Sequence, residues 1–495
     1  MRYFANRSIA LVALCGALVA AAVGTYTSPY LHQVFWDGRS DRADEGGTAR
    51  LVDLKNQVAR HPFEKAAIAE RVVKSLEDRQ VSQKIDEARF AGAKACAAVA
   101  TDGGLLLGRF GDGDALTLAS VTKLFTAAAA LELLGSEFRF ETRLVVVTET
   151  SVSGAVTASV GQAKAAYLLG GGDPFLASSA FVRWSEKIGA RWPITRADDL
   201  ALAVASAGWK TISTLYVDSS LYDSVHFPPK MSAFLRQQKL LPPVSAASID
   251  RNIASLEGDG PVEFASDPAL QMAERVAEAL RSAGVTVRAI KRSTLPPELA
   301  DMPDADPRVF TVRSEPLEDW LPQLLQRSDN FVAEMLAKRV ALSARGVGTW
   351  DGFALTVREL LLSWGIELPS LELADGSGLS ENRASCLDLA KFASQARGRP
   401  ALRPLWDSLA GPKVRGSTLE RRYTDLPGGV LLRAKTGSLA RTSSLCGAIY
   451  APDGAGVVFS VLVEAEGASE HRDLAEAPFV EAVAAGVASA ASSRG

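Results

Sequence analysis

Ser120 and Lys123 lie three residues apart where an apolar helix begins, in the stretch 118–135 reading LASVTKLFTAAAALELLG. At that spacing both side chains emerge on one helical face, about 5 to 6 Å apart at Cβ and within hydrogen-bonding reach. Burying a charged lysine is costly. Burial and the positive end of the helix dipole together lower the amine pKa from about 10.4 toward neutrality. Such an amine can take a proton from a neighbouring hydroxyl, which makes Ser120 a candidate nucleophile and Lys123 its base. The alternative is an N-cap serine beside a solvated first-turn lysine. No other serine in the chain is followed three residues later by lysine.

The elements that must hold such a pair follow from periodicity. Leu124, Phe125, Ala127 to Ala130, Leu131 and Leu134 make the helix apolar nearly all round, as suits a helix inside a domain, and Gly135 supplies its stop. Residues 96–99 and 105–107 read as a hairpin leading into it. Short strands follow at 143–148, 155–160 and 167–169, the last running into Gly170-Gly171-Gly172-Asp173-Pro174, a turn rather than a phosphate cradle because no Lys-Ser/Thr follows. Residues 198–207 and 269–283 read as helices, 211–217 and 285–289 as strands, and 227–243 as a long loop. Helices return at 317–326, 331–342, 353–364 and 387–397. Three strands, 430–434, 445–450 and 456–463, and a helix over 475–490 close the chain. Helices followed by an antiparallel meander indicate an α+β domain.

Composition removes several classes of function. With 54 basic and 57 acidic side chains and a net charge of −3, nothing favours nucleic acid or an anionic membrane surface. His32, His61, His226 and His471 are isolated, so neither a histidine triad nor a metal site is indicated, and no cofactor is called for. Of four cysteines, Cys15 lies in the N-terminal apolar run. Cys96, Cys386 and Cys446 are expected as buried free thiols, with one pair and an orphan as the alternative.

Arg2 and Arg7 precede an uncharged run from residue 8 to 36 whose densest apolar part is 9–23, the pattern of an export signal. Ala22-Val23-Gly24 offers a cleavage site, and an uncleaved anchor fits as well. Either way the chain beyond Asp37 is placed outside the cytoplasmic membrane, in the periplasm or cell wall, with the membrane touched only through the N-terminal segment. Residues 25–90 read as a spacer, with a helical arm packed on the following domain as the alternative.

Two further short motifs complete the chemistry. Ser328-Asp329-Asn330 sits between two helices, and Lys435-Thr436-Gly437 ends a strand. A competing Ser380-Glu381-Asn382 belongs to the loop that begins at Asp375. With Ser120-Val121-Thr122-Lys123 the set forms the Ser-x-x-Lys, Ser-Asp-Asn, Lys-Thr-Gly signature of penicillin-recognising serine enzymes. Leu169 to Pro174, the loop Asp375 to Ser380, and Gly416-Ser417-Thr418-Leu419 with Arg421 are further points of likeness. From about Gly92 onward the chain resembles the low-molecular-mass class C penicillin-binding proteins, the D-alanyl-D-alanine carboxypeptidases and endopeptidases.

That resemblance implies a transpeptidase-like α/β sandwich formed by 91–140 and 306–495, interrupted by β-rich accessory domains over 141–305, behind a signal peptide or anchor at 1–24 and the 25–90 spacer. It implies an acyl-enzyme on Ser120, with an oxyanion hole from the Ser120 and Ser438 N–H groups. Ser328 and Asn330 would relay a proton and hold the substrate amide. Lys435, Thr436 and Gly437 would fix the terminal carboxylate. Peptidoglycan stem peptides would be the substrates and β-lactams the inhibitors. A β-lactamase-like hydrolase and a non-catalytic wall-binding protein are the alternatives. Asp329 and Asp173 are expected to cap a helix and set a turn, and Trp350 and Trp364 to be core.

Overall fold

Strand β1 (Lys94–Thr101) alternates between two cores. Ala95, Ala97 and Val99 face one, while Cys96, Ala98 and Ala100 face the other, so the strand is covered on both sides. The computed structural model describes residues 62–492, apart from 112, 149–160 and 257–261. The expected export segment and the strand expected at 155–160 lie outside the described residues.

Before β1 come helices α1 (Pro62–Asp78) and α2 (Val81–Phe90), and after it β2 (Leu106–Gly111). A 3₁₀ turn over Ala119–Thr122 opens α3 (Lys123–Leu134). Next are β3 (Glu141–Val147), β4 (Gln162–Leu169), α4 (Ala197–Ser206), β5 (Thr211–Asp218), α5 (Pro268–Ser282), β6 (Thr286–Arg292) and β7 (Val309–Arg313). Then come the long helices α6 (Leu317–Leu325), α7 (Asn330–Arg345), α8 (Trp350–Ser363) and α9 (Cys386–Arg397), and a short one over Arg403–Asp407. The chain ends with β8 (Leu431–Leu439), β9 (Thr442–Tyr450), β10 (Gly456–Glu464) and α10 (Ala468–Ser492).

The first sheet has the order β8-β9-β10-β1-β2 and is antiparallel throughout. One face carries α10 with α1 and α2; the other carries α9, with α3 and α7 in the same core. This is the α+β sandwich expected, and it brings strands from both ends of the chain together. Within α10 the stretch Arg472–Ala491 is long and apolar enough to cross a membrane. Its Phe479, Val480, Val483 and Val487 are wholly buried against the sheet, so here that apolarity serves the core.

The second sheet, β7-β3-β4-β5-β6, is mixed: β4, β5 and β6 run parallel, and α4 and α5 share its core. The segment over 141–305 is therefore α/β in character rather than simply β-rich. The loop expected at 227–243 contains a short helix, Ala233–Gln237.

Two expectations need correction. The part of the 25–90 segment that is described is a helical arm, not a spacer: Ile68, Val72, Leu76, Val81, Ile85 and Ala88 form an apolar stripe buried against α10 and the sheet. Cys96 and Cys386 form a disulfide, with Cα atoms 5.9 Å apart, leaving Cys446 buried and free. Their separation of 290 residues hides the pair from any spacing argument, since only the packing of α9 on β1 brings them together. Replacing both Cys96 and Cys386 with serine is expected to cost roughly 2–5 kcal/mol in denaturant unfolding, as for other native disulfides that close long loops. Burial raises the Cys446 thiol to about 12, so it should resist thiol reagents until the protein unfolds.

Candidate active site

The first turn after Leu118 is tighter than an α-helix, and Ala119 adopts φ 44, a left-handed value that non-glycine residues rarely take. This turn swings Ser120 outward, leaving it half-buried, while Lys123 at the head of α3 is fully buried. The Lys123 ammonium donates to Ser120 Oγ, Asn330 Oδ1 and the Ser377 carbonyl, each at 2.8 Å. Burial pushes its pKa down to about 8, against the opposing pull of Glu334, Asp375 and Asp329. The cap-and-solvated-lysine alternative does not describe this residue.

Strand β8 runs beside the turn as the edge strand of its sheet. Gly437 is glycine for lack of room: a Cβ there would lie 2.1 Å from Ser444 Oγ, 2.6 Å from the Leu118 carbonyl and 3.0 Å from the Ser120 nitrogen. The Lys-Thr-Gly residues lie within β8 rather than at its end. Lys435 is fully buried and donates to Ser328 Oγ at 2.9 Å and to the Thr436 carbonyl at 2.8 Å. Burial, and then the neighbouring Lys123, push its pKa well down. Thr436 Oγ1 pairs with Thr418 Oγ1 at 2.8 Å, and Ser438 is exposed beyond them.

Ser328 has φ 62, a second left-handed residue at the site. Asp329 caps α7 as expected, accepting from the Val332 N–H at 3.2 Å. It also receives a buried two-pronged contact from Arg251, at 2.8 Å to each oxygen, and one from Gln323 at 2.8 Å. These donors hold its carboxyl below the usual range despite complete burial. Asn330 Nδ2 donates to the Leu240 carbonyl at 3.2 Å. Arg251 and Leu240 come from the 141–305 segment, which therefore forms part of the wall around the Ser-Asp-Asn loop.

Ser120, Lys123, Ser328, Asn330, Lys435, Thr436 and Gly437 thus converge, with Ser438 at the rim. The competing Ser380-Glu381-Asn382 does something else: Asn382 donates to Asp375 Oδ1 and the Ser380 N–H donates to Asp375 Oδ2, folding the loop on itself. Asp173 accepts from the Phe175 N–H at 2.8 Å and sets its turn, with burial raising its pKa to about 6. Trp350 is core, but its indole N–H donates to Glu334 at 2.7 Å. Sequence reasoning missed Arg251 and Glu334, and it marked Thr418 only as part of a motif of likeness without a role. A signal existed for Glu334: with Lys338 it interrupts, at four-residue spacing from Asn330, an otherwise apolar helical face.

The sequence profile of the D-Ala-D-Ala carboxypeptidase 3 (S13) family matches residues 78–261 and 259–484. A carboxypeptidase DacB of Mycolicibacterium smegmatis is 30% identical over 399 residues, covering 75% of this chain and 79% of that one. A D-alanyl-D-alanine carboxypeptidase of Actinomadura sp. (strain R39) is 27% identical over 424 residues, covering 71% and 73%. Among solved structures, penicillin binding protein 4 (dacB) from Haemophilus influenzae superposes with a TM-score of 0.62 at 20% identity, over 82% of this chain and 97% of the other, which establishes the shared fold.

Removing one partner of a buried ion pair leaves an uncompensated charge. Arg251→Met should therefore lower the unfolding free energy by about 3–5 kcal/mol in denaturant titration. A loss under about 1 kcal/mol would mean that Gln323 and the α7 N-terminus suffice for Asp329.

Proposed function

The chain belongs to the D-Ala-D-Ala carboxypeptidase 3 (S13) family and is a serine-type D-Ala-D-Ala carboxypeptidase, and we propose that Ser120 is its nucleophile and Lys123 its base. The observation that carries this reading is the Lys123 amine, fully buried yet 2.8 Å from the hydroxyl of the half-buried Ser120.

With its pKa lowered to about 8, roughly a tenth of the amine is neutral at pH 7 and able to accept the Ser120 proton. Ser120 Oγ then attacks the carbonyl of the terminal D-Ala-D-Ala bond. The negative charge that develops on the carbonyl oxygen faces the N–H groups of Ser120 and Ser438, and one such donor is worth roughly 2.7–4 kcal/mol in the transition state. Ser328, tied to Lys435 at 2.9 Å, passes a proton to the departing D-alanine amine. Asn330 spends its carbonyl on Lys123 and holds the substrate amide on the side of the edge strand. Thr436 and Thr418 present hydroxyls to the terminal carboxylate, with the Lys435 amine beneath them and Gly437 leaving the backbone room to approach. Water releases the acyl group. A β-lactam carries the same carbonyl and carboxylate and would be trapped as the acyl-enzyme.

Peptidoglycan stem peptides are the substrates in this reading. The enzyme acts outside the cytoplasm, in keeping with the Cys96–Cys386 disulfide, and its N-terminal segment directs it to the periplasm or cell wall. The catalytic body comprises 91–140 and the chain from α6 onward; the accessory unit begins at 141 and runs past the expected boundary at 305 to include β7, which pairs with β3, and it lends Arg251 and Leu240 to the site.

A fluorescent penicillin should label the wild type covalently and fail to label Ser120→Ala; persistent labelling would move the nucleophile elsewhere. Lys123→Ala should slow acylation by about 10²–10⁴-fold, the range of positioned general-base catalysis. In the wild type the acylation rate should rise with pH through about 8, as Lys123 loses its proton. Release of free D-alanine from a pentapeptide, set against cleavage of a cross-linked dimer, measures the balance of carboxypeptidase and endopeptidase action.

A further inference from the structure

Helix α7 carries Asn330, Glu334 and Lys338 at four-residue spacing, all buried on one face. Asn330 belongs to the site described above. Lys338 is committed elsewhere: it donates to Asp223 and the Val225 carbonyl, with its ammonium 3.8 Å over the Trp350 ring. Glu334, between them, is wholly buried and has a different set of partners. One carboxylate oxygen accepts from the Gly376 N–H at 3.0 Å and the Trp350 indole at 2.7 Å, and the other from the Ser377 N–H at 2.9 Å.

The carbonyls of these same two loop residues turn toward the nucleophile helix. The Gly376 carbonyl accepts from Thr126 Oγ1 at 2.7 Å, and the Ser377 carbonyl from Lys123 Nζ at 2.8 Å. The loop has little freedom to do otherwise. A Cβ at Gly376 would come within 2.5 Å of Ala337 Cβ and 2.8 Å of the Ala333 carbonyl, so its backbone lies directly on α7. Loop backbone thus bridges two buried charges, the N–H side gripped by Glu334 and the carbonyl side gripping Lys123.

We propose that Glu334 is a positioning residue of the reaction: its carboxylate fixes the Ser377 carbonyl on Lys123 and places a buried negative charge behind that amine. The proposal rests on the reading of Lys123 as the base. Its electrostatic setting is closed on all sides. Glu334 faces Lys123 from α3, Asp375 from the loop and Lys338 from its own helix. Lys123 faces Glu334, Asp375 and Asp329, with Lys435 on the side of β8. Asp375 is taken up by the loop itself, accepting from Gly378, Ser380 and Asn382. Among the carboxylates that raise the Lys123 pKa against burial, Glu334 acts most strongly. Burial, and then Asp375, push the Glu334 carboxyl upward in turn, so the charge on which Lys123 depends is itself costly to keep.

The test is the pH profile of β-lactam acylation in the full chain, measured for the wild type, Glu334→Gln, Glu334→Asp and Trp350→Phe. The wild-type rate should climb with pH as Lys123 deprotonates. Glu334→Gln removes the charge but keeps the shape, and its climb should move to lower pH by about half a unit or more. Glu334→Asp keeps the charge but cannot span both N–H groups, so its rate should fall while the climb stays in place. Trp350→Phe strips one donor from the carboxylate and should move the climb in the same direction as Glu334→Gln, by less, which gives a reading even where Glu334→Gln does not fold. A slower reaction with an unmoved climb, in whichever of these two variants folds, would overturn the proposal and leave Glu334 as a prop for the loop. A wild type without any climb would instead overturn the reading of Lys123 as the base, and the proposal with it.

Discussion

The site depends on the cost of burying an ammonium group. Lys123 has no exposed surface, and desolvation is the largest influence on its proton. Every neighbour acts against that background. Three oxygens at 2.8 Å satisfy its three donors, and three carboxylates raise its pKa part of the way back. An amine exposed to water at the same distance from Ser120 would stay charged at neutral pH and could not serve as a base. The apolar body of α3 therefore does chemical as well as structural work, because it keeps water from the head of its own helix.

The second constraint is close approach. The nucleophile turn, the β8 edge and the loop that begins at Asp375 meet where glycines leave no side chain between them. Ala119 and Ser328 accept left-handed backbone at the same place. Such geometry persists only if the surroundings determine it. The sandwich does so from three directions: β8 paired along its whole length with β9, α3 packed against α7, and the Arg251–Asp329 ion pair holding the Ser-Asp-Asn loop from the 141–305 side. The disulfide fastens α9 to β1, joining that helix layer to the sheet.

Much of this was legible in the sequence, because the catalytic residues sit in contiguous motifs whose order and local elements agree. The helix at Lys123, the hairpin at Cys96 and the closing meander follow directly from periodicity. What stayed hidden depends on tertiary approach. Arg251 lies far along the chain from Asp329, and nothing in its neighbourhood marks it as a partner. Cys96 and Cys386 are brought together only by the packing of a helix on a sheet. The 62–90 arm has an apolar stripe too modest to distinguish a packed helix from a solvated one until α10 is placed beside it. Glu334 and Lys338 did leave a trace, as buried charges in an apolar stripe, but a stripe does not say what they hold.

The central claim, that burial makes Lys123 a base near neutral pH, is tested most directly by titrating that amine. Its Nζ resonance in ¹⁵N-lysine-labelled protein, assigned by its loss in Lys123→Arg, should titrate near pH 8. Titration at the ordinary lysine value of about 10.4 would contradict the account, since the amine would then remain protonated where the enzyme must work.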